Sequence, residues 1–373
     1  MLKILTVFGT RPEAIKMAPV IAELARHPDR IENKTCFTGQ HREMVQPLIQ
    51  LFRISVDYDL NLMQESQTLE YVTMRVIDEV GRILRSERFD YVLVQGDTTT
   101  SMAASLAAYY GGTKIGHVEA GLRTFDKMQP FPEEVNRKII DAVSDLYFAH
   151  TEHAKENLLR EGIPASRIDV TGNTVIDALI DVANRDYAFS DPSLQQLARD
   201  PRRVILVTAH RRESFGEPFQ SLCSGLKRLA LEHRDDIVLV YPVHRNPNVR
   251  KVVSKVLAGL DNVVLLDPLD YVPFVHLMKQ AYLVLTDSGG VQEEAPSLGK
   301  PVLVLRKVTE RQEAVDAGTV KLVGTDASTI VEETSRLLID ATAYRDMSSR
   351  KNPYGDGTAA PKTVAKLLEA AEA

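Results

Sequence analysis

Cysteine is nearly absent from this sequence: among 373 residues only Cys36 and Cys223 occur, far apart and in no CxxC spacing. The sequence therefore predicts no disulfide framework and no thiolate metal site, and both residues fit inert core thiols of a reducing compartment. No GxGxxG motif is present, which argues against a dinucleotide cofactor bound in the usual way. No HxH or HExxH spacing supports a metal. We expect neither a cofactor nor a metal.

Long apolar runs are also missing. None approaches the roughly 20 residues that span a bilayer, and the N-terminal MLKILTVFGT runs too directly into a Pro-containing helix for a signal peptide. We therefore expect a cytoplasmic protein without membrane segments. The chain also has no excess of positive charge, since its net charge is -6. This negative charge argues against a nucleic-acid partner held by bulk electrostatics. An anionic ligand would have to meet locally concentrated positive groups.

Short apolar segments alternate with longer amphipathic ones in two successive series. Several of the short segments are apolar nearly throughout, as in strands buried on both faces of a parallel sheet. The strand candidates are 3–9, 34–39, 91–97, 114–120 and 146–150 in the first series, and 203–210, 236–244, 262–268, 283–287 and 301–306 in the second. The helix candidates between them are 12–27, 68–85, 100–111, 219–233, 247–260 and 291–299.

This repeated βα rhythm predicts an α/β fold with two Rossmann-like, doubly wound domains. Two domains are also the default for a chain of this length. Turn signals place the hinge near 168–175, which gives a first domain at 1–170 and a second at 171–355. The Pro/Gly-containing stretch NPYGDG then precedes a last amphipathic helix at about 356–373, which could pack on either domain.

Candidate acid/base residues follow the predicted strands, where doubly wound sheets bind their ligands. Asp97 and Glu119 come at two strand ends, and Glu133 lies in the first turn of a helix that begins at Pro132. Taken singly, each has a structural explanation as a helix cap or a first-turn acid. Three such carboxylates facing one cleft would instead serve general acid/base catalysis. In the second series, His210 ends a strand in the same way.

Candidate phosphate-binding groups lie at two helix starts. Arg11 and Lys16 lie near the N-terminus of the first helix, where the helix dipole favours an anion. The stretch TDSGGVQEE at 286–294 joins a strand to a helix through small residues that let phosphates approach backbone N–H groups. A glutamate one turn into that helix can accept two ribose hydroxyls. Together these features indicate a nucleotide-sugar site.

Several long motifs in the expected order resemble one bacterial family, the non-hydrolysing UDP-N-acetylglucosamine 2-epimerases. The resemblance runs from Lys3 to the NPYGDG stretch at 352–357. It implies the two-domain GT-B fold, with the nucleotide sugar between the domains, the last helix crossing back to the first domain, and a homodimer as the usual assembly. The motifs are GTRPEAIK, QGDTTT, HVEAGLR, PFPEEVNR, HRRES, TDSGGVQEEAPSLGKPVLVLR and TERQEA.

The resemblance implies reversible epimerisation at C2 of UDP-GlcNAc to UDP-ManNAc, which supplies ManNAc units for surface polysaccharides. The C2 proton of the sugar is not acidic, and the family's proposed solution is elimination. UDP leaves C1 as the C2 proton is removed, and UDP then adds back to 2-acetamidoglucal with C2 protonated on the opposite face. This isomerase route requires neither nicotinamide nor metal.

The same resemblance implies roles for individual residues. It places Asp97, Glu119, Glu133 and His210 around the sugar as acid/base groups, without deciding which carboxylate takes the proton and which returns it. The substrate-binding residues that it implies, besides Asp97, Glu119 and His210, are Arg11, Lys16, Ser288, Gly289, Gly290 and Arg311 for the diphosphate, Glu294 for the ribose, and Phe274 and the backbone near Leu269 for the uracil. A second UDP-GlcNAc, bound as an allosteric activator, would involve Gln40, His41, Arg211 and His244.

Three other activities are also compatible with these residues. A hydrolysing epimerase would release free ManNAc and UDP from the same UDP site. A GT-B glycosyltransferase would need an acceptor pocket, for which little sequence is left over. A non-catalytic UDP-sugar sensor would not need four acid/base residues.

Overall fold

The computed structural model describes residues 1–372, which form two compact units. The first unit consists of Met1–Ala178 and the segment that starts at Tyr354, and the second is Leu179–Pro353. Each unit is built on one parallel β-sheet with helices between the strands. In the described part of the chain, no helix is long and apolar enough to cross a membrane.

The first unit contains a seven-stranded parallel sheet with the order β3-β2-β1-β4-β5-β6-β7. Its strands are β1 Leu2–Phe8, β2 Ile31–Phe37, β3 Tyr58–Asp59, β4 Tyr91–Gln95, β5 Lys114–Ala120, β6 Leu146–Ala149 and β7 Ile168–Val170. Its helices are α1 Arg11–Leu24, α2 Arg42–Phe52, α3 Leu69–Ser86, α4 Thr99–Gly111, α5 Glu133–Val143, α6 Glu152–Arg160, α7 Thr174–Ala183 at the boundary, and α16 Ala359–Glu372.

The second unit contains a six-stranded parallel sheet with the order β10-β9-β8-β11-β12-β13. Its strands are β8 Arg203–Thr208, β9 Ile237–Pro242, β10 Val263–Leu266, β11 Leu283–Thr286, β12 Val302–Val304 and β13 Val320–Leu322. Its helices are α8 Pro192–Leu197, α9 Glu217–Glu232, α10 Pro247–Leu257, α11 Tyr271–Gln280, α12 Gly289–Glu294, α13 Gln312–Asp316, α14 Ala327–Ile339 and α15 Ala341–Ser348.

The two sheets confirm the predicted α/β, GT-B-like fold class. All of the predicted strands form, because central strands such as β4 are buried along their whole length and carry the continuous apolar runs that parallel sheets require. The strands β3, β7 and β13 were not predicted, since two or three residues are too few to show a periodic pattern.

The last helix, α16, belongs to the first unit, as the resemblance implied. It packs against α1, with Val364 and Leu367 fully buried in the same core as Met17 and Val20. Its first turn is capped by Asp177, whose carboxylate accepts the backbone N–H groups of Ala359 at 3.2 Å and Ala360 at 2.8 Å. Burial of its apolar face and this cap together fix the helix on the first sheet.

The strand orders determine where a ligand would bind in each unit. In the first sheet, β1 lies between β2 and β4, and in the second, β8 lies between β9 and β11. At such points the chain winds in opposite directions, which leaves a crevice at the carboxyl ends of the two central strands. The turns after β1 and β4, and those after β8 and β11, flank these crevices. They carry the predicted motifs.

Candidate active site

The turn after β1 begins α1 as the sequence predicted. Thr10 occupies the N-cap with an extended backbone, and a proline follows in the first turn. The carboxylate of Glu13 accepts the backbone N–H groups of Gly9 at 3.1 Å and Thr10 at 2.7 Å. Arg11 and Lys16 are both half-buried on this helix.

Glu119 lies at a distorted end of β5. Its φ is +67°, and the β5–β6 register shifts between Val118 and Ala120. A left-handed backbone at a non-glycine residue is strained by roughly 1–3 kcal/mol, and such strain is concentrated at functional sites. The bulge carries the Glu119 side chain away from the regular alternation of the strand.

Three polar side chains contact the Glu119 carboxylate. Lys16 Nζ lies 2.7 Å from Oε1 and 2.5 Å from Oε2. The amide of Gln95 donates to Oε2, and Asn173 Nδ2 donates to Oε1 at 3.3 Å. Only 8% of Glu119 is exposed. The structure thus brings together the predicted carboxylate and a lysine that the sequence had assigned to phosphate binding.

Asp97 follows β4 after Gly96, whose φ of +70° makes the sharp turn. Arg137 Nη2 lies 2.6 Å from Asp97 Oδ2, and Asn136 Nδ2 donates to the Asp97 carbonyl at 2.9 Å. Both partners lie on α5, the helix that starts with Glu133. The structure therefore brings Asp97 against the helix that carries the third predicted carboxylate.

The adjacent acids at the start of α5 have different environments. Glu134 accepts the backbone N–H groups of Thr124 at 3.0 Å and Phe125 at 2.9 Å, and Arg137 Nη1 at 3.0 Å. Burial alone would raise the pKa of Glu134, but these donors outweigh it and lower the pKa. Glu133 Oε2, in contrast, is buried and has no hydrogen-bond partner within residues 1–372. Glu134 thus holds the preceding loop, whereas the Glu133 carboxylate keeps one oxygen without a hydrogen bond from the described residues.

Glu13 is a buried acid beside the candidate site, and its position in the sequence did not predict this location. It is fully buried, and its second oxygen accepts Thr98 Oγ1 at 2.7 Å and Ser101 Oγ at 2.8 Å. Burial raises the pKa of Glu13, against the effect of these hydrogen bonds. The carboxylate joins the turn after β1 to the turn after β4. The capping-box spacing of Thr10 and Glu13 could have indicated the local role of Glu13. It could not have indicated the contacts with Thr98 and Ser101, which lie 85 and 88 residues further along the chain.

In the second unit, His210 and Asp287 lie at the ends of the neighbouring strands β8 and β11. Asp287 Oδ2 accepts the backbone N–H groups of His210 at 2.6 Å and Arg211 at 2.7 Å. Asp287 Oδ1 lies 3.6 Å from His210 Nδ1. The ring of His244 stacks on that of His210 with centroids 5.0 Å apart. The sequence reasoning mentioned Asp287 only as a strand end and gave it no role.

The surroundings of His210 act on its pKa in opposite directions. Burial lowers it most, the charge of Asp287 raises it, and His244 and Arg211 lower it further, so that the net pKa is below the ordinary value. His244 Nδ1 accepts the backbone N–H of Asn246 at 3.1 Å. The ring beside His210 is therefore held in a fixed orientation.

The predicted diphosphate residues of the second unit lie close together. The guanidinium of Arg311 lies beside Gly289, within 3.5 Å of the position that a Cβ would occupy there. Its Nε is 2.5 Å from Glu293 Oε1. The carboxylate of Glu294 lies 3.9 Å from the position of a Cβ at Gly290. The two glycines thus lie directly beside the side chains of Arg311 and Glu294.

The other predicted residues are distributed over both units. Leu269 precedes α11 and Phe274 lies on it; α11 packs against the short turn that follows α12. In the first unit, Gln40 Oε1 accepts Thr100 Oγ1 at 2.8 Å, and the His41 backbone N–H donates to Gly9 at 2.9 Å. Burial lowers the pKa of His41. Within residues 1–372, no cluster of three or more His, Cys, Asp or Glu side chains could hold a metal ion.

Comparison with known proteins gives full-length matches. The family model described as UDP-N-acetylglucosamine 2-epimerase matches residues 22–368. The UDP-N-acetylglucosamine 2-epimerase of Escherichia coli (strain K12) is 54% identical over 376 residues, covering 99% of this chain and 98% of the relative. The structure of UDP-GlcNAc 2-epimerase from Neisseria meningitidis bound to UDP-GlcNAc has a TM-score of 0.87 and 47% identity, covering 99% of this chain and 100% of that one.

A further structure, that of S. aureus MnaA with UDP, has a TM-score of 0.87 and 45% identity, covering 100% of this chain and 97% of that one. The matches agree with one another in family, and they extend over both α/β units. Several of the motifs quoted from the sequence follow β1, β4, β8 and β11, the strands at the central crevices of the two sheets. The chain therefore belongs to the UDP-N-acetylglucosamine 2-epimerase family.

Proposed function

We propose that this protein is a non-hydrolysing UDP-GlcNAc 2-epimerase, which converts UDP-GlcNAc reversibly to UDP-ManNAc for polysaccharide synthesis. The observation that carries the proposal is that the elements bearing Asp97, Glu119 and Glu133 contact one another. A Cβ built on Gly96, the residue before Asp97, would lie 3.7 Å from Glu119 Oε2. Helix α5 contacts Asp97 through Asn136 and Arg137. Epimerisation needs proton transfer on both faces of C2, and several carboxylates can provide it.

The proposed chemistry is elimination followed by addition. A base removes the C2 proton while the C1–O bond to UDP breaks, and the electron pair of the C–H bond becomes the C1–C2 double bond of 2-acetamidoglucal. UDP oxygen then adds to C1, and C2 receives a proton on its other face. No net oxidation occurs, so the atoms and electrons balance without a redox partner.

The groups of the second unit suit the binding of departing UDP. Arg311 and the backbone N–H groups at Ser288, Gly289 and Gly290 would stabilise the developing diphosphate charge. Glu294 would accept the ribose hydroxyls, while Phe274 and the backbone at Leu269 would contact the uracil. In the first unit, Arg11 is the remaining candidate for the diphosphate, while Lys16 is already paired with Glu119. His210 would complete the acid/base set.

Regulation, assembly and location belong to the same proposal. Gln40 and His41 in the first unit, and Arg211 and His244 in the second, are the candidates for a second UDP-GlcNAc that activates the enzyme. We also propose a homodimer and a cytoplasmic location, which the two buried free thiols support. Hyperbolic turnover of UDP-ManNAc that is unchanged by added UDP-GlcNAc would contradict the regulatory part.

Proton NMR of the protein with UDP-GlcNAc in D₂O tests the reaction. We expect UDP-ManNAc signals to grow, with deuterium entering C2 of both epimers. Free ManNAc together with UDP would instead identify a hydrolysing epimerase. No change in the presence of demonstrated UDP-GlcNAc binding would contradict both, and would favour a transferase or a UDP-sugar sensor.

A further inference from the structure

His117 is a fully buried histidine that the proposed chemistry does not use. It lies on β5, two residues before Glu119, and none of its surface is exposed. Its Nδ1 is 2.6 Å from Asp141 Oδ1, and its Nε2 is 2.7 Å from the carbonyl oxygen of Gly96. Both ring nitrogens therefore contact oxygen atoms.

The hydrogen-bond partners determine where the ring protons are. A backbone carbonyl can only accept, so Nε2 of His117 carries a proton. Asp141 is ionised: burial alone would raise its pKa, but His117 and Arg123 outweigh burial and lower it. Its Oδ2 accepts Arg123 Nη2 at 2.7 Å, and Oδ1 is hydrogen-bonded to His117 Nδ1. The ring therefore donates to the Gly96 carbonyl on one side and contacts Asp141 on the other.

A chain of charged groups continues from this ring. Asp141 on α5 contacts the ring, and Arg123, in the loop after β5, contacts Asp141 on its other side. Arg123 in turn pairs with Glu161, the residue after α6, with Nε at 2.8 Å from Oε1. Removal of the ring would take one hydrogen bond from the buried Asp141 carboxylate, which Arg123 would still contact.

Three elements that carry candidate acid/base residues meet at this ring. Gly96 precedes Asp97 after β4, Glu119 ends the strand on which His117 lies, and α5 starts with Glu133 and holds Asp141. A hydrogen bond from one side of the ring fixes the turn before Asp97. A hydrogen bond from the other side fixes α5 relative to β5.

We propose that His117 is a positioning residue, whose ring, held by Asp141 and hydrogen-bonded to the Gly96 carbonyl, fixes the relative placement of Asp97, Glu119 and Glu133. This inference rests on the proposed function of those carboxylates. If the ring only filled space in the core, a side chain of similar size without hydrogen-bond donors would leave turnover unchanged in a folded variant.

Two variants measure the contribution of the ring to turnover. In His117→Phe, which keeps a ring but no donor, we expect kcat to fall by about 10²-fold, the size of effect that small misplacement of catalytic groups produces. KM and UDP affinity should change much less, since most of the residues proposed to bind UDP lie in the second unit. Asp141→Asn keeps the shape and removes the charge partner, and it should lower kcat in the same direction. A folded His117→Phe with kcat within threefold of the unchanged protein would overturn the proposal.

A measurement on the unchanged protein does not depend on variants that fold. In ¹⁵N-histidine-labelled protein, we expect a slowly exchanging Nε2–H signal from the ring of His117, assigned by its contacts to Val118. A ring N–H that exchanges as fast as that of an exposed histidine would overturn the proposal. If the proton NMR of the reaction shows no epimerisation while this slowly exchanging signal is present, the proposed function fails and the buried hydrogen bond to Gly96 is established separately.

Discussion

Glu133 and Glu134 are adjacent on α5, yet only Glu134 has its carboxylate saturated by hydrogen bonds. It accepts two backbone N–H groups and one guanidinium, whereas Glu133 Oε2 is buried with no partner among the described residues. The two carboxylates thus differ in their hydrogen-bond partners, although both lie in the first turn of α5. They form a matched pair for mutagenesis.

Glu133→Gln should lower kcat by about 10²–10⁴-fold, because it removes an acid/base group without changing shape. The melting temperature should remain close to that of the unchanged protein. Steady-state kinetics of UDP-ManNAc formation and a thermal scan measure both. Near-full activity in this variant would remove Glu133 from the catalytic set.

Glu134→Gln should act on stability, and in a pH-dependent way. The pKa of Glu134 is below its ordinary value of 4.5 in the folded chain, so its contribution to stability is complete above pH 4.5 and is lost as the pH falls through the folded pKa. The variant should therefore be less stable near neutral pH, and the difference should shrink in acid. Urea unfolding at several pH values measures this; a difference that grows in acid would contradict it.

Lys16→Met should impair both folding and turnover. Its Nζ contacts both oxygens of the buried Glu119 carboxylate, and breaking a buried pair from one side destabilises a protein by about 3–5 kcal/mol. Glu119→Gln, which keeps the shape, should instead reduce kcat with a smaller loss of stability. Lys114→Met, at the exposed start of β5, the strand that carries Glu119, is the control. Equal stability of Lys16→Met and the control would contradict the prediction.

Asp287→Asn should change the titration of His210. The negative charge of Asp287 raises the pKa of His210, against burial, His244 and Arg211, which lower it. Without that charge the pKa should fall further, and any limb of the kcat profile that reports His210 should move to lower pH. Histidine NMR and pH-dependent kinetics measure the shift. Asp326→Asn, an N-cap of α14 that also accepts a backbone N–H, is the control. A pKa that rises or stays constant would refute the prediction.

Arg311→Met should weaken UDP binding by about 10–100-fold, the equivalent of one lost hydrogen bond to a charged group. The guanidinium lies beside Gly289, where the diphosphate is proposed to bind. Calorimetric titration with UDP measures the affinity. Arg306→Met is the matched control, because Arg306 pairs with Glu310 and Glu213 in the same unit. Equal affinities of the two variants for UDP would exclude Arg311 from the site.

Much of the fold could be predicted because the pattern is local. A strand such as β4 is apolar along its whole length, and the first helix begins after the cap residue Thr10, as its sequence indicates. The site motifs were also visible, since strand ends and glycine turns are read from neighbouring residues. Short edge strands were not visible, and neither were partners distant along the chain.

The sequence by itself determined the two βα series, the strand-end position of the candidate residues and the family, because each depends on order along the chain. Only the tertiary structure decided which groups contact each other. It paired Lys16 with Glu119, distinguished Glu133 from Glu134, and placed His117 between Gly96 and Asp141. The protonation and charge of a buried side chain depend on partners from other elements, and local sequence does not specify those partners.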